Sequence, residues 1–188
     1  MQARRLRSQD TPMSKLFFTA DTHFGHESII RLCKRPFDGV EAMDEALIAR
    51  WNAKVAPNDV VYHIGDFSFR AGKPAQAYLE RLNGQIHLIL GNHDDQAKLE
   101  STGRLRSITE IKELRWKGQT IVMCHYPMRE WPGAWRGAWH LFGHVHGRFD
   151  SEPFGYSLDV GVDSHGYAPL AAEEVATLMD GRRQIFGT

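Results

Sequence analysis

Six short apolar runs, each bounded by turn residues, recur along the chain at Leu16–Ala20, Val60–Ile64, Ile86–Leu90, Thr120–Cys124, His140–Phe142 and Tyr156–Val160. Their length and bounding residues predict β-strands. Ile108–Trp116 alternates imperfectly and predicts one more strand, and Gln184–Phe186 a short last one. Between these runs the period changes. Glu41–Lys54 places Ala42, Leu47, Ile48 and Trp51 on one stripe and stops at Pro57-Asn58, which predicts an amphipathic helix. Ala75–Leu82, Gln96–Ser101 and Leu170–Met179 also predict helices, the last with Gly181 as its C-cap. His26–Lys34 predicts a shorter one, ended by the Arg35-Pro36 step. Strand and helix alternate early, strands dominate later and a helix closes the series, a pattern of layered α/β architecture. With no repeat, low-complexity tract or linker, residues 15–188 are expected to form one domain, and 188 residues suffice for one substantial core.

The polar residues with chemistry fall just after the apolar runs. Leu16–Ala20 leads into Asp21-Thr22-His23, Val60–Ile64 into Gly65-Asp66, and Ile86–Leu90 into Gly91-Asn92-His93-Asp94. Thr120–Cys124 leads into His125, and His140–Phe142 into Gly143-His144-Val145-His146. The carboxyl ends of strands are where layered α/β folds bind ligands. Carboxylate and amide oxygens with neutral imidazole nitrogens suit hard or borderline divalent cations, and a carboxylate such as Asp66 has two oxygens with which to bridge a pair of them. The rings of His144 and His146 can converge on neighbouring cations only where the strand breaks into a turn, which Gly143 and Gly147 permit. Any one of these residues taken alone reads more readily as a capped or hydrogen-bonded structural group than as a ligand. Gathered at five strand ends, they would cost a purely structural domain heavily in desolvation.

Charge narrows the range of partners. The chain carries 23 basic and 23 acidic residues, a formal net charge of zero, so no global field draws it to nucleic acid or anionic lipid. A local patch stays open. Cys33 and Cys124 form no CxxC pair, which argues against a disulfide framework or a thiolate zinc site and for reduced residues in a cytoplasmic protein. The first fifteen residues, MQARRLRSQDTPMSK, lack the apolar stretch of a signal peptide. Residues 1–14 are read as a basic leader, with Met13 an alternative start and Arg4, Arg5 and Arg7 a candidate nucleic-acid arm. No apolar run approaches the roughly 20 residues that span a bilayer.

D-x-H, G-D, G-N-H-D, a lone His after a strand and G-H-x-H, in that order between Asp21 and His146, resemble the calcineurin-like metallophosphoesterase superfamily. DTHFGH with the following RPF, and VGVDSHGYAPL near the end, look like its small single-domain bacterial and phage members. The resemblance implies a four-layer α/β/β/α sandwich and two divalent cations. Asp21, His23, Asp66 and His146 would hold the first; Asp66 (bridging), Asn92, His125 and His144 the second. Water activated between the cations would attack phosphorus. His93 matches the histidine that contacts the phosphate and protonates the leaving group, and Asp94 would orient or acidify its surroundings. One departure stands out. The protein phosphatase branch reads GDxxDRG, whereas this chain reads Gly65-Asp66-Phe67-Ser68-Phe69-Arg70-Ala71. Arg70 stands where the phosphate-binding arginine stands, but Phe69 replaces the acid that partners the catalytic histidine, which argues against a protein phosphatase. Mn, Fe, Zn and Ni all fit the mixed ligands.

For substrate the expectation is a small phosphoester, either a monoester or a diester, with a nucleotide or nucleic-acid end suggested by Met128–His140. That segment interleaves Trp131, Trp135 and Trp139 with Arg129 and Arg136, and such pairs stack bases and hold phosphates; the same spacing also fits packing on the domain. Arg129, Trp131, Arg70 and His26 are therefore the candidate substrate contacts. His26 would otherwise cap the helix that follows it. His63 and His87, inside strands, are expected in the core, His165 in a surface loop, and Tyr62 and Phe67 beneath the site. The rival to an enzyme is a scaffold protein that kept the fold and lost the chemistry. All the ligand positions and His93 are intact, which favours the enzyme.

Overall fold

The computed structural model describes residues 14–70 and 72–182, and within them the strands form two sheets. In the first, β1 (Leu16–Thr19), β2 (Val60–Ile64), β3 (Gln85–Ile89) and β4 (Ser107–Thr109) run parallel, and β9 (Leu170–Ala171) pairs antiparallel with β1, giving the order β4-β3-β2-β1-β9. In the second, the order is β5 (Ile111–Trp116), β6 (Gln119–Cys124), β7 (Trp139–Phe142), β8 (Ser157–Asp159); β5 is antiparallel to β6, and the other neighbours are parallel.

Both faces of the first sheet are buried, which is why its strands read as unbroken apolar runs. Register decides which residue serves which face. Phe17, Val61 and Ile86 lie side by side and pack under α1 (Glu27–Leu32), α2 (Val40–Lys54), α3 (Ala75–Leu79) and α4 (Gln96–Ser101). On the opposite face Phe18, Ile64 and Ile89 meet Ile121, Met123, Leu141 and Leu158 of the second sheet. Val175 and Met179 of α5 (Ala172–Asp180) join this inter-sheet core. The outer face of the second sheet is covered by Trp131, Ala134 and Ala138 over Val122. The mixed α/β architecture of two packed sheets with helices is as expected, and the cover on this last face is a segment carrying a 3₁₀ turn, Ala134–Arg136.

The differences from the sequence reading have physical reasons. Ile108–Trp116 is two strands: Ser107–Thr109 pairs with β3, then the chain crosses after Thr109 so that Ile111–Trp116 pairs with β6. Its imperfect alternation is two short patterns joined at Glu110. Leu170–Ala171 pairs with β1 before the last helix begins at Ala172, where the Glu174 carboxylate accepts the Ala171 N–H at 2.7 Å, one half of a capping box. Gly181 caps that helix with right-handed backbone, φ −81°. α1 and α3 are shorter than their patterns suggest. In α2 the buried stripe is Met43, Leu47, Ile48 and Trp51, while Ala42 is exposed. The leader residues 1–13 and the Gln184–Phe186 strand lie outside the described residues.

Trp51 anchors the helical layer: it is 1% exposed and its indole N–H donates to the Asn83 carbonyl at 2.9 Å. Trp51→Ala should therefore cost about 3–5 kcal/mol of unfolding free energy in urea titrations. Ala42→Glu should change it by no more than about 0.5 kcal/mol. A similar small effect from both would mean that α2 is not packed as described.

Candidate metal centre

The strand ends of both sheets converge. β1 delivers Asp21 and His23, β2 Asp66, β3 Asn92, β6 His125, and β7 His144 and His146. An isolated parallel bridge between Ala20 and Gly161, with Val162 N–H donating to the Ala20 carbonyl at 3.0 Å, draws the two sheets together at this edge. Five of the convergent residues adopt left-handed backbone: Asp21 (φ 57°), His23 (50°), Asp66 (57°), His144 (69°) and His146 (49°). This conformation is unfavourable for non-glycine residues and collects at functional sites. Here it turns the strand ends so that Asp21 and His23 meet in one group of donor atoms while His144 and His146 reach two neighbouring groups. Space is tight enough to demand glycine. A Cβ on Gly91 would run into the Asp66 carboxylate, and one on Gly143 would lie 2.5 Å from Asp21 Oδ2.

Two groups of donor atoms result. Asp21, His23 and His146 place one ligand atom each within 4.8 Å of one another, and so do Asp66, His125 and His144. Asp66 reaches both: its Oδ2 lies 3.4 Å from His23 Nε2 and 3.5 Å from His125 Nε2. Asn92 Oδ1 sits 3.1 Å from His125 Nε2, which adds the amide to the second group. The remaining oxygens tie the loops together. Asp21 accepts the His144 N–H on both oxygens (2.9 and 3.1 Å), and Asp66 Oδ1 accepts the His93 N–H at 2.9 Å.

The electrostatics are those of a site that wants cations. His23 is 1% exposed, yet neither ring nitrogen has a hydrogen-bond partner, and burial pushes its pKa down to about 2. Burial raises Asp21 to about 7. Burial also opposes ionisation of Asp66, but the hydrogen bond and charge of His125, together with His23, hold it well below the usual carboxylate range. A buried imidazole with two orphaned nitrogens is rare in folded proteins. Carboxylates that face it across 3.4–4.0 Å without hydrogen-bond geometry supply the donor set of a divalent-cation site, so the residues fit bound metal.

Comparison with known proteins identifies the family. The family model for the calcineurin-like phosphoesterase superfamily domain matches residues 15–155. The chain belongs to this superfamily of calcineurin-like phosphoesterases. An uncharacterized protein of Methanocaldococcus jannaschii is 33% identical over 175 residues, 89% of this chain and 93% of the other. The gene 66 protein of Mycobacterium phage L5 is 35% identical over 85 residues, 44% of this chain and 41% of its own length. A protein of unknown function from Aquifex aeolicus, of known crystal structure, shares the fold with a TM-score of 0.71 at 24% identity over 88% of this chain and 99% of that one.

Around the calcineurin-like centre stand residues that sequence reasoning did not single out. Arg35, 4% exposed, donates to the Asp21 carbonyl (2.7 Å) and the Thr22 carbonyl (3.0 Å), and grips both oxygens of Asp163 at 2.8 Å. Asp163 Oδ2 in turn lies 2.8 Å from His146 Nδ1. Burial works against charge on His146, but this bond lifts its pKa to about 10. Asp159 accepts the Gly147 and Gly161 N–H groups at 2.9 and 2.7 Å. The only signals in sequence were the RPF and VGVDSHGY segments that contain Arg35 and Asp163.

The other candidates divide. His26 and His93 stand at the mouth of the centre, their rings 5.4 and 5.5 Å from that of His23. His26 occupies the N-cap position of α1 but makes no side-chain cap. Phe69 lies against both rings, 4.2 Å from His93 and 4.9 Å from His26, and the exposed Arg70 stacks over it at 5.0 Å. Asp94 accepts the N–H groups of Asp66, Phe67 and Gly91, each at 2.9 Å, so its carboxylate clamps two loops. Trp131 is corrected: it is 3% exposed with its N–H given to the Ala138 carbonyl at 2.8 Å, so it packs rather than stacking a base. Arg129 lines a different cavity, with Met128, Phe142 and Phe149. His63 is buried and bonds the Thr22 hydroxyl at 2.9 Å, His87 bonds Ser107, and His165 bonds the Asp159 carbonyl at 2.7 Å. Tyr62 and Phe67 are buried.

Asp163→Ala leaves the Arg35 guanidinium buried without its partner. Breaking such a pair typically costs about 3–5 kcal/mol, which chemical denaturation of the variant should reveal. A loss below about 1 kcal/mol would show that Arg35 is stabilised by its backbone acceptors alone.

Proposed function

We propose that this chain hydrolyses phosphoesters with two divalent cations, one held by Asp21, His23, Asp66 and His146, the other by Asp66, Asn92, His125 and His144. The observation that carries the reading is Asp66 Oδ2, within 3.5 Å of histidines from both groups, beside the orphaned ring of His23. When bound, the cations would neutralise charge on the phosphoryl oxygens and lower the pKa of the water nucleophile.

The chain's own residues do the rest. His93 gives a proton to the leaving oxygen, held in place by its backbone bond to Asp66 and by the Phe69 ring. Asp94 spends its oxygens on three backbone N–H groups, so it fixes the loops that carry Asp66 and Asn92 rather than tuning His93. Arg70 and His26 flank His93 and contact the substrate phosphate from its open side. Asp163, backed by Arg35, takes the Nδ1 proton of His146 as a hydrogen bond and leaves Nε2 free to ligate, the usual way an outer carboxylate orients a metal-binding imidazole. The metal is drawn from Mn, Fe, Zn and Ni. Both cysteines are free, in keeping with a cytoplasmic setting, and no helix among the described residues is long and apolar enough to cross a membrane.

The test is a screen of chelator-stripped protein, reloaded with each metal in turn, on p-nitrophenyl phosphate and its bis-ester. Turnover should return with at least one metal, and stripping should lower the denaturation midpoint, since ligand at 100 times its Kd stabilises by about 2.7 kcal/mol. Absence of turnover with every metal would favour the scaffold reading.

His93→Ala should retain both metals by elemental analysis and lose about 10²–10⁴-fold in rate, most with alkyl leaving groups. Asp66→Ala should lose metal and activity together. Equal rates of wild type and His93→Ala on an alkyl ester would remove His93 from the mechanism.

A further inference from the structure

Two open clefts meet at the mouth of the metal centre. One, of about 860 Å³, runs from His23 and His146 past His26 along α1, with Arg31, Lys34 and Arg148 on its walls. The other, of about 650 Å³, runs from Arg70 toward α4 and carries Lys73 and Lys98. Phe69, Arg70 and His93 line both, so the clefts are continuous through the point where the proposed proton donor stands.

The charge on these walls is one-sided. Six exposed cationic side chains, Arg31, Lys34, Arg70, Lys73, Lys98 and Arg148, face a single carboxylate, Asp95, which is already paired with Lys98 at 2.8 Å. A chain with 23 basic and 23 acidic residues has thus concentrated one sign along one groove, the arrangement that gathers a polyanion locally without a global field. The size of the clefts adds to this. Each lies within the roughly 300–1,000 Å³ that accommodates a whole small ligand. A phosphomonoester has one organic group on phosphorus and would leave one cleft empty. A chain with phosphates on both sides of the scissile one meets cations in both. The walls also offer apolar surface beside the charges: Leu32 in the first cleft (61% exposed), Phe69 at the junction and the exposed Pro74 in the second. Nucleosides can use that surface, and inorganic polyphosphate cannot.

We propose that this groove binds a nucleic-acid strand with the scissile phosphodiester at the metal centre and nucleotides in both clefts. The inference rests on the hydrolase reading above and names its substrate class. Water adds its oxygen to phosphorus, and the bond to one sugar oxygen breaks. That oxygen takes a proton from His93; of the water's two protons one stays on the new phosphomonoester and the other passes to solvent, from which His93 is reprotonated. The products are one phosphomonoester end and one hydroxyl end.

The test uses two double variants of the metal-loaded full chain, Lys73→Gln/Lys98→Gln in one cleft and Arg31→Gln/Lys34→Gln in the other. Binding of a fluorescent phosphorothioate oligothymidylate is followed by anisotropy between about 50 and 200 mM salt, with circular dichroism to confirm folding. Single strands contribute about 0.7 to the salt slope per neutralised phosphate, so each double variant should flatten log Kd against log salt by about 1.4. For an unmodified oligothymidylate, kcat/KM relative to bis(p-nitrophenyl) phosphate should fall about tenfold in each double variant. Wild-type slopes in both variants, an effect from only one cleft, or equal affinity for inorganic polyphosphate would overturn the proposal. If no metal supports turnover of bis(p-nitrophenyl) phosphate while the oligonucleotide still binds with the expected slopes, the hydrolase reading fails and the nucleic-acid groove stands.

Discussion

Two carboxylates, one amide and four imidazoles are crowded at the junction of two sheets, and most of the surrounding structure offsets the cost of holding them there. Removing acids and imidazoles from water is unfavourable unless each finds a partner. The chain supplies some partners itself. The backbone N–H of His144 binds both oxygens of Asp21 and that of His93 binds Asp66 Oδ1, and Asp94 and Asp159 stitch the turns behind them. Asp66 Oδ2, which faces the imidazoles of His23 and His125, and the ring of His23 are left without a backbone donor. A fold stabilised only by its own contacts would have no reason to keep that deficit.

Backbone strain belongs to the same economy of structure. Five of the converging residues sit at positive φ, each at a cost of order 1–3 kcal/mol. Such conformations persist only where the surroundings over-determine them. The hydrogen bonds from Asp21 to the Gly65 carbonyl and from His23 to the Asp66 carbonyl do so for the first strand end, and Arg35 does it again through the Asp21 and Thr22 carbonyls. Arg35 therefore binds the backbone of one metal loop while Asp163, which it orients, binds the His146 ring of another. A single buried guanidinium couples the two ends of the chain through the centre, from a position 128 residues away from its acid.

That separation explains what could and could not be read in advance. The centre itself was legible because its residues follow apolar runs at short, fixed distances, and the strand-end position is a local property of sequence. Phe69 in place of an acid was legible too, and the ring indeed packs on His93. Arg35 and Asp163 were not, since nothing local distinguishes a buried arginine from a surface one when its partners are backbone carbonyls and a distant carboxylate. Trp131 misled for the converse reason: tryptophan and arginine alternating in a loop look the same whether the ring stacks on a ligand or on Val122 and His140. Glu110 hid the passage between sheets because a strand that changes partners keeps its β character throughout. The stripe of α2 slipped by one residue because Ala42 and Met43 are both apolar and only packing chooses between them.

Net charge gave a correct global statement with an incomplete local consequence. A sum of zero excludes a strong overall field, yet a sum cannot register where the charges lie, and a fold with parallel strand ends on one edge leaves that edge flanked by the loops and helix ends that follow them. Arg31 ends α1, Lys98 lies on α4, and Arg148 follows the turn after His146; their neighbours in sequence give no hint that they share a groove. The same topology that collects acids and imidazoles into a centre collects these cations around it, because every element they belong to departs from the same edge. In the proposed function, bound cations would shield the acids at the bottom and leave the exposed ring of positive charge free to act on whatever anion approaches. Selection of an extended phosphodiester over a compact phosphate, as proposed, would follow from how the two clefts are joined, with Phe69 and Arg70 at the seam, more than from the chemistry of the centre.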